Sequence, residues 1–280
     1  MSGTLFIVAT PIGNLDDLSP RARQTLTEVD LIAAEDTRHT GRLLSHIGVK
    51  TPQKALHDHN ESRAVPALIG ALLDGKNIAL VSDAGTPLVS DPGYRLVAAA
   101  HEDNINVSPI PGSSAVTAAL SAAGLPTDRF CFEGFAPHKK LARQAWLREL
   151  AVESRTLVFF ESVHRVKESV SDMVDAFGAD RQAFVGRELS KMHEQCVQGS
   201  LGDIQTSLGS AAIPAKGEFV FVVSGNNEKQ ASAFEVDLLI EELAAVLPGK
   251  QAAAIAARVT GEKRNTIYAR MLELTKQKDL

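Results

Sequence analysis

The stretch VSDAGTPLVSDPG (residues 81–93) decides how this chain reads. It continues the apolar run IALV (78–81) and carries two Ser-Asp pairs, two Gly and two Pro. A simple chain reversal needs about two to five residues, so so long a collar at the end of a buried strand calls for another explanation. Gly85 and Gly93 let main chain approach a ligand closely. Pro87 and Pro92 fix φ and hold the loop open without a ladder bond. Ser82, Asp83 and Thr86 supply short hydrogen-bonding side chains. The stretch reads as backbone machinery for a small ligand with an amino-acid end and a nucleoside end.

Outward from this collar the first hundred-odd residues alternate in the βαβ manner. LFIVA (5–9) is a compact apolar strand followed by the turn TPIGN (10–14), and Ser19-Pro20 opens a helix with Pro where a missing N–H costs nothing. LIAA (31–34) is a second strand ending on EDTR (35–38). A helix over about 40–47, a short strand near 54–57 and a helix over 61–74 lead to 78–81. Another helix follows Pro92-Gly93, then a strand over 105–110. Near-continuous apolar strands predict a parallel sheet covered on both faces. PGSS (111–114) closes this half and caps an Ala-rich helix over 115–123.

The second half has fewer helices and strand-like runs at 130–134, 156–160, 183–188, 194–198 and 218–224, two of which can pair as a hairpin. A mixed sheet follows, hence an α/β chain of two α/β domains, 1–112 and 113–228. GNNEKQ (225–230) reads as a linker to a helical tail, 229–280, whose short helices broken at Pro248-Gly249 and Thr260-Gly261 fit a helix-turn-helix arrangement or a plain three-helix packing module.

Composition narrows the class. At 280 residues, 44% hydrophobic and 22% charged, the chain is an ordinary globular one. No apolar run approaches the ~20 residues of a membrane span, and the first residues lack the pattern of a cleaved signal peptide. Cys131 and Cys196 are expected as buried thiols in a reducing cytoplasm. A net charge of −5 argues against indiscriminate nucleic-acid binding. HKKLARQAWLRELAVESR (138–155) nevertheless places Lys139, Lys140 and Arg143 where one amphipathic helix would show a positive stripe, either a solvated face or a polyanion contact.

Polar or Gly/Pro-rich segments stand at the carboxyl ends of four predicted strands: 10–14, 35–38, 82–93 and 111–114. In open α/β sheets ligands bind outside those ends. Gly-x-Gly-x-x-Gly and the P-loop pattern are both absent, which weakens the dinucleotide and nucleotide-hydrolase readings. No metal-ligand motif is present, and no metal is expected.

SDAGTPLVSDPG, with VATPIGNLDDLSPRA, AAEDTR, PIPGSSAVTAAL, GREL and KGEFVFVV, resembles the tetrapyrrole (corrin/porphyrin) methylase superfamily along essentially the whole chain. The resemblance implies S-adenosylmethionine in a cleft between the two α/β domains, gripped by Asp83, Ala84, Gly85, Thr86 and Val89. Ser114, Ala115, Pro11, Ile12, Glu161 and Glu188 would complete the enclosure. TPIGN and AGTP replace the glycine-richer segments of the porphyrin branch, so the pattern is nearer to the branch that methylates the 2′-oxygen of a cytidine ribose in 16S rRNA. A tetrapyrrole or a modified protein residue is the alternative acceptor. The resemblance further implies a cytoplasmic homodimer whose partner is 16S rRNA or the small ribosomal subunit.

A sulfonium-bound methyl asks the protein mainly for in-line positioning. A ribose hydroxyl is a poor nucleophile, so a group should take its proton. Candidates are His59 and Glu61 in HDHNE (57–61), Asp36 in EDTR, and Lys191. HDHNE can equally be a capped helix start. Arg38 and Arg187 could clamp phosphate or pair with nearby acids.

Overall fold

The computed structural model describes residues 2–226 and 233–278, and the chain divides into two compact units, Met1–Gly225 and Asn226–Leu280. In the first unit β1 (Thr4–Val8), β2 (Leu31–Ala34), β3 (Gln53–Ala55), β4 (Ile78–Val81) and β5 (Asn106–Ile110) form a wholly parallel sheet, ordered β3-β2-β4-β1-β5. All four residues of the central β4 are buried, as an apolar run without alternation requires. One face is covered by α1 (Pro20–Glu28) and α2 (Thr37–Ile47), which set Leu26, Leu43 and Leu44 against Ile32 and Val81. The other is covered by α3 (Glu61–Leu73) and α4 (Tyr94–Glu102), through Leu68, Leu72 and Leu96 against Leu5, Ile78 and Leu80. Each such side chain contributes about 1.5–3 kcal/mol of burial, so the strand ends emerge from a rigid sandwich. Local signals set the boundaries. Ser19 Oγ accepts the Ala22 N–H at 3.1 Å to start α1, and Gly48 stops α2 at φ 73°.

The second sheet holds β6 (Phe130–Phe135), β7 (Thr156–Glu161), β8 (Gln182–Arg187), β9 (Gln195–Ser200) and β10 (Phe219–Val223), ordered β6-β7-β10-β8-β9. Only β6 and β7 run parallel; β8 and β9 form the expected hairpin. On one face lie α6 (Lys140–Leu150), α7 (Val166–Phe177) and α8 (Leu201–Gly209). On the other lies α5 (Ala115–Ala122), which joins Val158, Phe184 and Val222 to Ile12 and Val89 of the first half. That shared cluster holds the two sheets together beside the collar.

Three expectations fail here. Arg143 is not on a solvated stripe: it is 1% exposed and donates from Nε to Asp172 of α7 at 2.7 Å. Arg187 is buried as well, donating to the carbonyls of Lys216 and His193, so it offers no phosphate clamp. Cys196 is exposed on the hairpin, while Cys131 is half-buried.

In the second unit α9 (Ala233–Val246), α10 (Gly249–Thr260) and α11 (Arg264–Lys278) surround Ile240, Ala252, Ala253, Ala256, Ile267 and Met271. Three alanines on the buried face of α10 allow close helix approach. Gly261, at φ 78°, ends α10 and turns the chain into α11. Arg258, Lys263 and Arg264 are exposed around this turn, and Lys250 is exposed at the start of α10. Residues 227–230 of the expected linker, and the boundary expected at 228/229, lie outside the described residues. Among the described residues no helix is long and apolar enough to cross a membrane.

Candidate active site

The carboxyl ends of β2, β4, β6 and β7, the loops after β1 and β5, and the start of β10 meet around one cleft of about 440 Å³. The collar enters it as a strained ribbon: Gly85 sits at φ 84°, Leu88 at 71° and Ser90 at 66°, conformations uncommon for residues with side chains. Thr10 and Gly85 exchange both main-chain bonds, at 2.8 and 3.0 Å. A Cβ added at Gly85 would stand 3.4 Å from Ile12 Cγ2. The peptide groups of Gly85 therefore fasten two loops to each other, and Gly93 backs onto Leu80. Among the described residues nothing accepts from the amides of Ala84 and Thr86, both of which line the cleft. Thr86 Oγ1 donates to the Ser113 carbonyl at 3.1 Å, tying the collar to the 111–114 loop.

Acidic groups dominate the polar rim. Asp83 N–H donates to Glu35 Oε2 at 3.3 Å and Asp36 N–H donates to Asp83 Oδ1 at 3.1 Å, so the ends of β2 and β4 clasp each other. Burial pushes the Glu35 carboxyl up, helped by the charges of Asp83, Asp58 and Asp36 and opposed by the Asp83 amide. Burial likewise lifts Asp91 to about 6, with Glu35, Asp83 and Asp58 adding to it against a bond from Ser82. The opposite wall is apolar: Phe135, Phe160, Val163, Phe219 and Val220. Phe135 and Phe160 meet edge-on with centroids 5.5 Å apart, and Phe135 is half-exposed at the mouth.

These features fit S-adenosylmethionine. The volume lies in the range of about 300–1,000 Å³ typical of small-molecule sites. An apolar wall carrying rings suits a nucleoside base, and the Ala84 and Thr86 amides suit a carboxylate. Three anionic side chains oppose a sulfonium and an ammonium. Among the described residues no group of three or more His, Cys, Asp or Glu is arranged to hold a metal ion.

Ile12, Asp83, Ala84, Gly85, Thr86, Val89, Ser114 and Ala115 all line this cleft. Pro11 is buried and does not line it. Glu161 lines it, but its carboxylate is committed to Arg165 at 2.8 Å and to the Ser169 hydroxyl. Glu188 lies outside the lining, where it accepts from Lys191 Nζ and from the Glu218 amide, both at 2.9 Å.

The four candidate bases also stand elsewhere, which corrects the sequence expectation. His59 is exposed on the turn before α3, a turn closed by the Asn60 side chain accepting from His57 N–H at 2.9 Å. Buried Glu61 accepts the Arg95 amide at 3.0 Å, stabilising the start of α4. Asp36 caps α2, and its bond to Arg38 holds it well below the usual carboxylate range. Burial alone would lower Lys191, but Glu188 and Glu218 outweigh it and raise the ammonium, which makes Lys191 a poor proton acceptor. Arg38 is 87% exposed while paired to Asp36, and Lys139 and Lys140 are exposed at the start of α6.

The sequence reading placed the 35–38 and 82–93 segments at the site without singling out Glu35 or Asp91, and it missed Phe135, Phe160 and the 217–220 segment. Asp91 was legible as the second acid of the collar. The aromatic wall was not, because it is assembled from three strands of the second sheet.

A cleft of this chemistry, at the strand ends of two joined α/β halves, has known counterparts. Residues 4–205 match the family model "Tetrapyrrole (Corrin/Porphyrin) Methylases", and the chain belongs to that family of S-adenosylmethionine-dependent methyltransferases. Residues 230–275 match "RsmI C-terminal HTH domain". Among curated relatives, Ribosomal RNA small subunit methyltransferase I of Pseudomonas aeruginosa is 49% identical over 97% of this chain and 98% of that one. The protein of the same name from Escherichia coli O157:H7 is 48% identical over 97% and 95%. Among solved structures, a diphthine synthase superposes with a TM-score of 0.60 at 16% identity, covering 83% of this chain and 92% of that one. Uroporphyrin-III-C-methyltransferase from Thermus thermophilus gives 0.56 at 18%, covering 79% and 94%. These two likenesses speak to the fold alone.

Proposed function

We propose that the protein transfers the methyl group of S-adenosylmethionine to the 2′-oxygen of a cytidine ribose in 16S rRNA, acting on the RNA or the small ribosomal subunit as a cytoplasmic homodimer. The observation that carries this reading is the single cleft in which an apolar aromatic wall faces an acidic, glycine-turned collar. Near-full-length relatives named for the small ribosomal subunit support the acceptor class. When bound, the cofactor supplies a methyl already activated on sulfur. The chain's own task is to hold and orient. The Ala84 and Thr86 amides would hold the carboxylate end, Glu35, Asp83 and Asp91 would hold the cationic end, and Phe135 and Phe160 would exclude water from the nucleoside end. For the RNA, Arg38, Lys139 and Lys140 on the first unit, and Lys250, Arg258, Lys263 and Arg264 on the second, offer exposed cations to phosphates.

The test is mass spectrometry of 16S rRNA from a strain lacking the gene, paired with purified protein, labelled cofactor and small subunits. One ribose methyl absent from the strain and restored by the protein supports the reading. An unchanged methylation pattern rejects it, and label appearing only on a precorrin-type substrate points to the tetrapyrrole alternative.

A further inference from the structure

A second groove, about 410 Å³, lies beside the cofactor cleft and shares Ile12 and Ser114 with it. Both α/β halves build its rim. Asp17 comes from the turn after β1, Thr117 and Ser121 from one face of α5, and Ser190 and Glu194 from the loop joining β8 to β9. That loop is held in an unusual shape, with Glu188 at φ 52° and Ser190 at φ 66°, the kind of backbone that persists only where surroundings over-determine it. Here they do. Ser190 N–H donates to Glu194 Oε2 at 2.6 Å, and its hydroxyl donates to the Asp17 carboxylate. Gly13 leaves no room for a Cβ against Lys191, whose Cγ would stand 2.3 Å away. Ser190 thus fixes two carboxylates at the rim, while Asp17 Oδ1 and Glu194 Oε1 have no protein donor among the described residues.

Methyl transfer is in line, with the reacting atoms about 3–3.5 Å apart, so the acceptor must occupy a space that opens onto the cofactor cleft. This groove adjoins it, with Ile12 and Ser114 lining both. Its lining offers hydroxyls and carboxylates but no Lys or Arg, which suits the hydroxyls of a sugar and leaves phosphates to cations outside. We propose that the groove is the acceptor subsite, taking the ribose of the target nucleotide with its hydroxyls on Asp17 and Glu194. The assignment rests on the reading of the protein as an rRNA methyltransferase, and it requires the target nucleotide to leave its stack.

Two measurements on the full chain test it. Ser121 is exposed on α5, so Ser121→Trp fills the groove without displacing core. The expected result is unchanged cofactor binding by calorimetry with small-subunit methylation lowered about 100-fold, the scale on which acceptor misplacement acts. Equal methylation by Ser121→Trp and wild type overturns the assignment, and so does loss of cofactor binding in a folded variant. The second measurement needs no variant. Cys196 lines the groove and is exposed, with half-buried Cys131 as an internal reference. Maleimide labelling of Cys196 should slow when small-subunit RNA is added and stay unchanged with cofactor alone. Labelling indifferent to RNA overturns the assignment. A wild-type chain that methylates no small-subunit RNA defeats the function and the groove assignment together, whereas methylation that ignores the filled groove defeats the groove alone.

Discussion

Asp91 links cofactor binding to protons. It lies in the last part of the collar, facing Glu35 from the end of β2, Asp83 from the end of β4 and Asp58 from the turn before α3. Burial first, and those three charges after it, lift its carboxyl from an ordinary 3.8 to about 6. The group is therefore about nine-tenths protonated at pH 5 and about nine-tenths ionised at pH 7. S-adenosylmethionine carries a net positive charge, and a cation beside Asp91 favours the ionised form. Binding near pH 6 should release a proton, and affinity should rise from pH 5 to pH 7 and then level. If the cation cancelled the whole shift, the gain between pH 5 and pH 7 would be about tenfold; solvent screening of a half-buried group reduces it to about three- to fivefold. Glu35, raised by the same causes, adds in the same direction.

Calorimetry at pH 5, 6, 7 and 8, in paired buffers of different ionisation enthalpy, measures both affinity and protons released. Asp91→Asn should flatten most of the dependence. For folding without ligand the sign is opposite. A carboxyl raised in the folded state is at no disadvantage below its unfolded value, and stability is lost as pH climbs from 3.8 through about 6. Asp91→Asn should thus stabilise the chain at pH 7 by about 1 kcal/mol after screening, and hardly at all at pH 4. Wild-type affinity that is flat from pH 5 to pH 8, or a slope undiminished in Asp91→Asn, refutes this account of the acidic collar.

Other consequences follow from the same geometry. Asp172→Ala strands the buried Arg143 charge and should cost about 3–5 kcal/mol, read as a melting temperature about 6–20 °C lower; the joint replacement Arg143→Met with Asp172→Leu should lose much less, and equal losses would contradict the charge argument. Gly85→Ala forces a side chain into φ 84° against Ile12. It should weaken cofactor binding about tenfold for about 1–2 kcal/mol of strain, with wild-type calorimetry in the variant as the contrary result. Reversing Lys263 and Arg264 to Glu should make the salt dependence of small-subunit RNA binding shallower, by about 1.4–1.8 in log–log slope, and leave cofactor affinity alone. An unchanged slope would remove the second unit from the RNA interface.

What could be read from the sequence divides along a physical line. Runs such as IALV and LFIV announce buried strands because burial on both faces suppresses alternation, and the collar announces a ligand loop because no short turn needs so many Gly, Pro and Ser-Asp signals. Both are local facts. The errors concern polar side chains whose partners are distant in sequence. In KLARQAWLREL, Arg143 shares a helical face with Leu147 and Leu150, a spacing that already hinted at burial, but nothing local supplies Asp172, 29 residues on. Glu61 was read as a candidate base because the Arg95 amide it serves belongs to another helix, 34 residues away. Lys191 looked like a base until Glu218 was folded against it at 3.1 Å. Each of these groups is a charge in a crowded place, and folding satisfied it with a remote partner because leaving it bare costs more than any local contact returns. Glu35 and Asp91, on the cleft, have no such cation beside them among the described residues, and burial together with the neighbouring acid charges raises both carboxyls. A cationic ligand is what the fold leaves room for, which is why the perturbed acids, rather than the most reactive-looking residues of the sequence, mark the site.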